Sequence, residues 1–281
     1  KNFKWKLIKN LPKMITAILD EKKMVNSWIK KHGIDGIISD NRLGVFSKKV
    51  PSVFMTHQLN VMTGNTTWFT SKCHQHIIKK YTECWVPDSN EKVNLTGDLG
   101  HLKNDHLNLR YIGPLSRMKK KETPIVYDLM IILSGPEPQR TYLDEKLQKE
   151  AAKFKGKVVF VQGIVEKTQE KWQAGNVTYY NFMNSKQLEQ TFNESEFVLC
   201  RSGYTTVMDL AKLGKKAFFI PTPGQYEQEY LAIKLQEENL VPYAMQDDFT
   251  IEDLSKVKSF KGLSQFKNDI DWDSLFNVFE D

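Results

Sequence analysis

Residues 197–223, FVLCRSGYTTVMDLAKLGKKAFFIPTP, read as strand, polar turn, helix and second strand in unbroken succession. Phe197–Cys200 is an apolar run of aromatic and β-branched character, and Arg201-Ser202-Gly203 makes the turn. Val207, Leu210, Ala211 and Leu213 then recur at helical spacing, and Lys216–Ile220 returns as a buried strand. A unit of this kind puts backbone N–H groups and a helix N-terminus at the carboxyl edge of a sheet, where an anionic phosphate is favoured.

Outward from this stretch the alternation of strand and helix persists. Apolar runs occur at IDGIIS (34–39), SVFMT (52–56), TECWVP (82–87) and LRYIGP (109–114). After a lysine-rich link, Arg117–Glu122, a second series follows at IVYDLMIIL (125–133), KVVFVQG (157–163), NVTYYNF (176–182), EFVLCR (196–201) and KAFFIP (216–221). Helical stretches between strands predict an α/β fold with mostly parallel sheets, divided into two doubly wound, Rossmann-like domains. The expected limits are 1–116 and 117–262, with a terminal helix in 263–281 crossing back to the first domain. An amphipathic helix over 14–29 is predicted to begin after Pro12 and to stop at Gly33. Lys1 begins neither with methionine nor with a signal peptide, and a helix precedes the first strand. The expectation is therefore that the first domain lacks its opening strands.

Composition narrows the function classes. With 281 residues, 40% of them hydrophobic, the chain can bury the cores of two domains. No apolar run approaches the roughly 20 residues that cross a bilayer. Cys73, Cys84 and Cys200 show no C-x-x-C spacing, which argues against a disulfide framework or a zinc site and for a reducing, cytoplasmic setting. The net charge of +6 is uneven, with +8 in the first fifty residues and −2 in the remainder. Such a basic end suits an anionic partner such as a phospholipid surface, and equally a solvated lysine-rich helix face. Phe3, Trp5 and Trp28 on that helix are compatible with peripheral contact at a membrane or with packing against further protein. Nucleic acid is disfavoured, since no recognised binding module accompanies the lysines.

Several residues carry candidate chemistry. SGPEPQR, Ser134–Arg140, follows the first strand of the second series. Gly135 lets the backbone approach a ligand, and Ser134 with the loop amides could donate to a phosphate. Ser202-Gly203 repeats the device, so the two loops together could cradle a diphosphate. Asp209 suits the ribose hydroxyls, although Thr206-x-x-Asp209 also fits a capping box. After Pro221-Thr222-Pro223-Gly224, Gln228 and Glu229 on the first turn of a helix could read sugar hydroxyls or simply begin the helix. Asp269-Ile-Asp271 fits a D-x-D metal pair, but helix-start acids explain it better. His74 and His76 stand two apart on a predicted helix and do not share a face. No metal site and no cofactor are expected.

The pattern CRSG-x-T-T-x-x-(D/E)-x-x-x-x-G, followed by a strand, a Pro-rich turn and an E-Q-E-Y helix, resembles glycosyltransferase family 28, the family of the lipid II-forming UDP-N-acetylglucosamine transferases. The likeness spans about residues 110–245 and is weaker over 34–115. It implies the GT-B fold, two Rossmann-like domains facing across a cleft, with a UDP-sugar on the C-terminal domain and an acceptor on the N-terminal one. It further implies diphosphate contacts from Ser134, Gly135, Arg201, Ser202 and Gly203, with Thr205 and Thr206 close by, and an approach by Arg117. Asp209 would take the ribose where the family carries glutamate, and Gln228 the sugar, beside Glu229 where a second glutamine is usual. Main-chain groups near Phe182 and Met183 would face the uracil. On the acceptor side, His57 and Gln58 in FMTHQLN match an H-E-Q-N segment, and Asp40 and Asn41 end the preceding strand. His57 is the candidate base within the chain, while the family's usual basic histidine belongs to a Gly-rich loop that nothing here matches. The implied reaction is an inverting, metal-independent transfer of a hexosyl or N-acetylhexosaminyl group to a hydroxyl, with a lipid-linked sugar as a possible acceptor and the inner membrane face as the place. An epimerase or hydrolase acting on the same donor, or a non-catalytic nucleotide-sugar sensor, would share these features.

Overall fold

The computed structural model describes residues 3–103, 106–266 and 270–280, and for residues 3–11, 14 and 65 the backbone alone. The side chains of Phe3 and Trp5, and Asp269 of the D-x-D string, lie outside the described residues. The chain divides into two units. One contains 1–88, 98–112 and 269–281, and the other 89–97 and 113–268. Residues 113–116 and the short stretch 89–97 thus group with the second series of strands, and the chain's last residues with the first.

In the first unit, helix α1 (Phe3–His32) leads to β1 (Ile37–Asp40), β2 (Ser52–Met55), α2 (Thr67–Ile78), β3 (Glu83–Val86) and β4 (Leu109–Tyr111). The four strands pair in the order β1-β2-β3-β4, all parallel. α1 runs through Pro12 and does not begin after it. Proline's fixed φ is already helical, although its ring removes one N–H donor and crowds the carbonyl one turn earlier, and Thr16 Oγ1 donates to the Pro12 carbonyl at 3.0 Å. Gly33, at φ +60°, turns the chain into the left-handed region after the last helical residue. Strand residues alternate between two apolar layers, as a period of two requires. Phe54 and Cys84 face Ile78 and Tyr81, while Val53 and Trp85 face Ile112 and Leu275. Buried Glu83 is held between Trp85 Nε1 (2.6 Å) and Arg110 Nε (3.1 Å).

The second unit begins with β5 (Tyr127–Ile132) and continues through α3 (Gln139–Ala151), β6 (Val158–Val161), β7 (Lys171–Ala174), β8 (Val177–Tyr180), α4 (Ser185–Asn193), β9 (Ser195–Cys200), α5 (Tyr204–Leu213), β10 (Lys216–Phe219) and α6 (Tyr226–Glu237). Its sheet runs β10-β9-β5-β6-β8-β7, parallel except for the β7–β8 hairpin. β7 was not foreseen in the sequence. All four of its residues are exposed, so it carries no apolar alternation. Separate buried clusters cover the two faces: Met130, Val198, Val207 and Leu210 belong to one, Leu129, Ile131, Leu199 and Phe218 to the other. From β5 the chain proceeds one way across the sheet to β6, and from β9 the other way to β10. The boundary between β5 and β9 is therefore a topological switch point, where connections leave in opposite directions and open a crevice at the carboxyl ends.

The terminal helix expected within 263–281 is confined to α7 (Trp272–Phe276) and a 3-10 turn, Asn277–Phe279. Asp271 caps α7 by accepting from Ser274 N at 3.2 Å, which is the work of a helix-start acid. Only Leu275 of this helix is buried. Among the described residues, no helix is long and apolar enough to cross a membrane.

Candidate functional site

The residues singled out in the second unit converge on the switch point. β5 and β9 pair in register to Ile132 opposite Cys200, so the loop that carries Ser134 and Gly135 and the loop Arg201–Gly203 emerge side by side. Gly135 has φ +104°, a conformation that side chains with a Cβ rarely adopt, and Ser134 beside it is exposed. Gly203 is the N-cap of α5 and offers no side-chain cap, whereas at the start of α3 Glu137 Oε2 accepts from Thr141 N at 3.3 Å. Both helices begin at the same sheet edge, where the dipole of α5 favours an anion, while the Glu137 carboxylate already takes part of the α3 N-terminus. Thr205 and Thr206 lie on the first turn of α5.

A third loop, 220–225, follows β10 and is braced by α6. Gln228 Oε1 accepts from Thr222 N at 2.9 Å, Gln228 Nε2 donates to Gln225 Oε1 at 2.7 Å, and Glu229 Oε1 accepts from Gly224 N at 2.8 Å. Ser202 Oγ donates to the Gln228 carbonyl at 2.8 Å, joining this loop to the one after β9. The two residues read as sugar contacts therefore hold the turn after β10 and, through Ser202, tie it to the loop after β9.

Arg201 is the buried hub of the three loops, 1% exposed. Its Nη1 donates to the carbonyls of Ile220 (3.1 Å) and Pro221 (3.0 Å), and its Nη2 to the Gln139 carbonyl (3.1 Å) and Gln246 Oε1 (2.7 Å). These partners are neutral oxygens. Burial lowers its pKa to about 10, which still leaves the guanidinium charged at neutral pH. A charge satisfied by carbonyls and not by a carboxylate leaves a positive potential at the switch point. Two buried polar atoms there have no partner, Arg201 Nε and Thr222 Oγ1, and a Cβ at Gly135 would stand 3.6 Å from the latter. Thr222 gave no sequence signal beyond its place between two prolines.

Asp209 is not the partner of a Thr206 capping box, because the α5 cap lies at Gly203. Its Oδ1 accepts from Ser116 Oγ at 2.5 Å, and Ser116 Oγ in turn accepts from Met118 N at 3.0 Å. Burial raises the Asp209 pKa, against smaller lowering effects from Ser116 and from Arg117 nearby. Arg117 itself is exposed. At the end of β8, Phe182 already uses both main-chain groups: its N–H donates to Asn181 Oδ1 (2.9 Å) and its carbonyl accepts from Gln169 Nε2 (2.6 Å). Met183 Sδ accepts from Thr191 Oγ1 at 3.4 Å.

In the first unit, Asp40 and Asn41 close β1 in exposed positions, Asn41 with φ +53°. Asn41 Oδ1 accepts from buried Thr56 Oγ1 at 3.3 Å, and Thr56 Oγ1 accepts from Gln58 N at 3.1 Å. The loop with half-buried His57 and Gln58 is gripped by consecutive residues of α2. His74 hydrogen-bonds the Gln58 backbone, while Gln75 Nε2 donates to the Leu59 carbonyl (3.1 Å) and to Asn60 Oδ1 (3.2 Å). Burial, partly offset by that backbone bond and reinforced by His57, pushes the His74 pKa down to about 4. Its Nδ1 has no partner. Sequence reading, which weighed His74 only as a metal ligand, missed this clamp. Among the described residues, no group of three or more His, Cys, Asp or Glu could hold a metal ion.

Comparison with known proteins bears on this geometry. Residues 139–259 match the model of the glycosyltransferase family 28 C-terminal domain, a span that begins with α3 and contains α5, β10 and α6. Over 232 residues the chain is 24% identical to the UDP-N-acetylglucosamine–N-acetylmuramyl-(pentapeptide) pyrophosphoryl-undecaprenol N-acetylglucosamine transferase of Haemophilus ducreyi. That alignment covers 80% of this chain and 62% of the relative, so the chain spans less than two thirds of it. The crystal structure of MurG from Acinetobacter baumannii superposes with a TM-score of 0.52 at 15% identity, covering 86% of this chain and 68% of that one. The glycosyltransferase SnogD from Streptomyces nogalater gives 0.59 at 10% identity, covering 95% and 75%. The fold class is that of the GT-B glycosyltransferases.

Proposed function

We propose that this chain, whose residues 139–259 match the model of the glycosyltransferase family 28 C-terminal domain, transfers a hexosyl or N-acetylhexosaminyl group from a UDP-sugar to a hydroxyl acceptor, with inversion and without a metal. One observation carries the reading: the N-terminus of α5, whose N-cap Gly203 offers no side chain, the Gly135 turn and a buried Arg201 without a carboxylate partner meet at a single switch point. That combination suits a diphosphate more than any neutral ligand. In an inverting displacement the acceptor oxygen bonds to the anomeric carbon as the bond to the diphosphate breaks, and the acceptor proton passes to a base. The diphosphate gains negative charge as it departs, and preorganised N–H dipoles with a fixed cation stabilise it without a metal. Asp209 offers its carboxylate to the ribose, and the braced Gln228–Glu229 turn meets the sugar. His57 is the candidate base, on a loop whose backbone is already held.

The relative named above acts on a pyrophosphoryl-undecaprenol acceptor. A lipid-linked sugar met at the cytoplasmic membrane face is accordingly the acceptor class favoured here, consistent with the +8 charge of the first fifty residues. The test measures UDP release from a panel of UDP-sugars with and without an acceptor extract, alongside calorimetric UDP binding. Release that requires acceptor supports the transferase. Release without it would assign a hydrolase, and UDP binding with no turnover a sensor.

A further inference from the structure

Helix α2 buries Ile78 at its end, but its first turns are inverted. Its buried side chains include the polar Ser71 and Gln75, while Trp68 and Phe69 are 73% and 62% exposed. A helix docked for its own stability buries its aromatic stripe and wets its polar one. The inward polar face is explained by the loop it holds: Ser71 Oγ accepts from Val61 N at 3.0 Å, next to the Gln75 bonds to Leu59 and Asn60. The outward tryptophan has no such explanation within the fold.

Trp68 lines a cavity of ≈550 Å³ between α2, the loop after β2 and residues Asp98, His101, Leu102, Lys103 and His106. This volume lies in the range of small-molecule sites. Its walls are fixed, for Asn60 Nδ2 donates to the Asp98 carbonyl at 2.6 Å and Gln75 holds Asn60 from the other side. Met62 adds apolar surface beside the indole, and Lys72, Lys103 and His106 add basic groups against Asp98, the one acid among the described lining residues.

We propose that this cavity is a binding subsite for a saccharide bearing a phosphate or carboxylate, its ring stacked on Trp68 and its anionic group held by Lys72 and Lys103. A pyranose has an apolar C–H face that an indole can cover and a rim of hydroxyls that a polar wall can satisfy. Two lysines with flexible stems favour the charged form of the ligand over the neutral sugar. Because Asn60 belongs to the same loop as His57, the subsite lies on the acceptor side, a placement that rests on the function proposed above.

The experiment uses the full chain with UDP present in excess, so that the donor site is blocked, and records saturation-transfer NMR with α-D-glucose 1-phosphate, D-glucuronate and D-glucose. Ring-proton transfer is expected for at least one anionic probe, the comparison of the two separating phosphate from carboxylate, and at least tenfold weaker binding for glucose. Trp68→Ala should abolish the transfer and Trp68→Phe retain it, and the Lys72→Ala/Lys103→Ala pair should weaken binding at least tenfold. Unchanged melting temperatures exclude misfolding, since all three side chains are exposed. Equal binding by Trp68→Ala, equal binding of glucose, or no transfer from any probe at millimolar concentration overturns the subsite. Calorimetric UDP binding, measured separately on the same protein, reports on the donor site, so failure of that reading is distinguishable from failure of this one.

Discussion

Ser116 Oγ donates to Asp209 Oδ1 at 2.5 Å, tying the segment before the lysine-rich link to helix α5. The carboxylate proposed for the ribose therefore already has one partner, and a nucleotide must use its other oxygen or displace the serine. The family's glutamate would reach farther. Aspartate keeps the carboxylate close to α5, where burial raises its pKa and Ser116 and Arg117 oppose that rise.

Removing the serine tests this arrangement. Ser116→Ala should raise the Asp209 pKa further, since a bond to the charged form is lost, and a carboxyl NMR titration would show it. Because the folded pKa lies above the unfolded one, Asp209 destabilises the fold as pH rises through the interval between them. UDP binding should follow the opposite trend and weaken as pH falls through the Asp209 titration. Asp209→Ala should cost about 1–3 kcal/mol of UDP affinity by calorimetry. Unchanged affinity in a folded variant would remove the ribose role.

Arg201 should not tolerate lysine. A single ammonium cannot span four acceptors in two directions, so Arg201→Lys should destabilise the second unit by about 3 kcal/mol, as loss of a buried charged network does. Urea unfolding provides the measurement. A change within experimental error would mean that the three loops hold their positions without the guanidinium.

His74 makes the first unit acid-sensitive. Its pKa of about 4 lies below the ordinary value of 6.5, so the unfolded chain binds more protons between these limits and stability falls as pH drops from 6.5 toward 4. The full effect is about 3 kcal/mol. His74→Gln, which can still donate to the Gln58 carbonyl, should flatten this dependence in urea titrations at pH 5 and 7. A slope equal to that of the parent protein would assign the acid sensitivity elsewhere.

Arg110 joins Glu83 to the chain's last helix, its Nη1 donating to the Ser274 carbonyl at 2.7 Å. Arg110→Ala should release that segment at a cost of about 1–3 kcal/mol and quicken proteolysis near residues 270–280. Equal cleavage rates would show that Leu275 packing alone retains it.

Much of the fold was legible because it rests on local patterns. The apolar runs predicted the observed strands apart from β7 to within a few residues at their ends, since parallel strands buried on both faces leave a continuous hydrophobic signal. α1 overran its predicted start because a 30-residue helix outweighs the missing bond and the ring crowding of one proline. β7 was illegible because an edge strand exposed on both faces has no apolar period to read.

By itself the sequence determined the α/β class, the strand series and the two Gly-containing loops, all features set by spacing along the chain. Tertiary structure alone decided that those loops flank a switch point, that Arg201 is their buried brace and that Asp209 is held by Ser116. It also turned α2 so that Gln75 faces inward and Trp68 outward. Each of these depends on strand order or on partners distant in sequence, 93 residues apart for Ser116 and Asp209, and no local pattern encodes such a pairing.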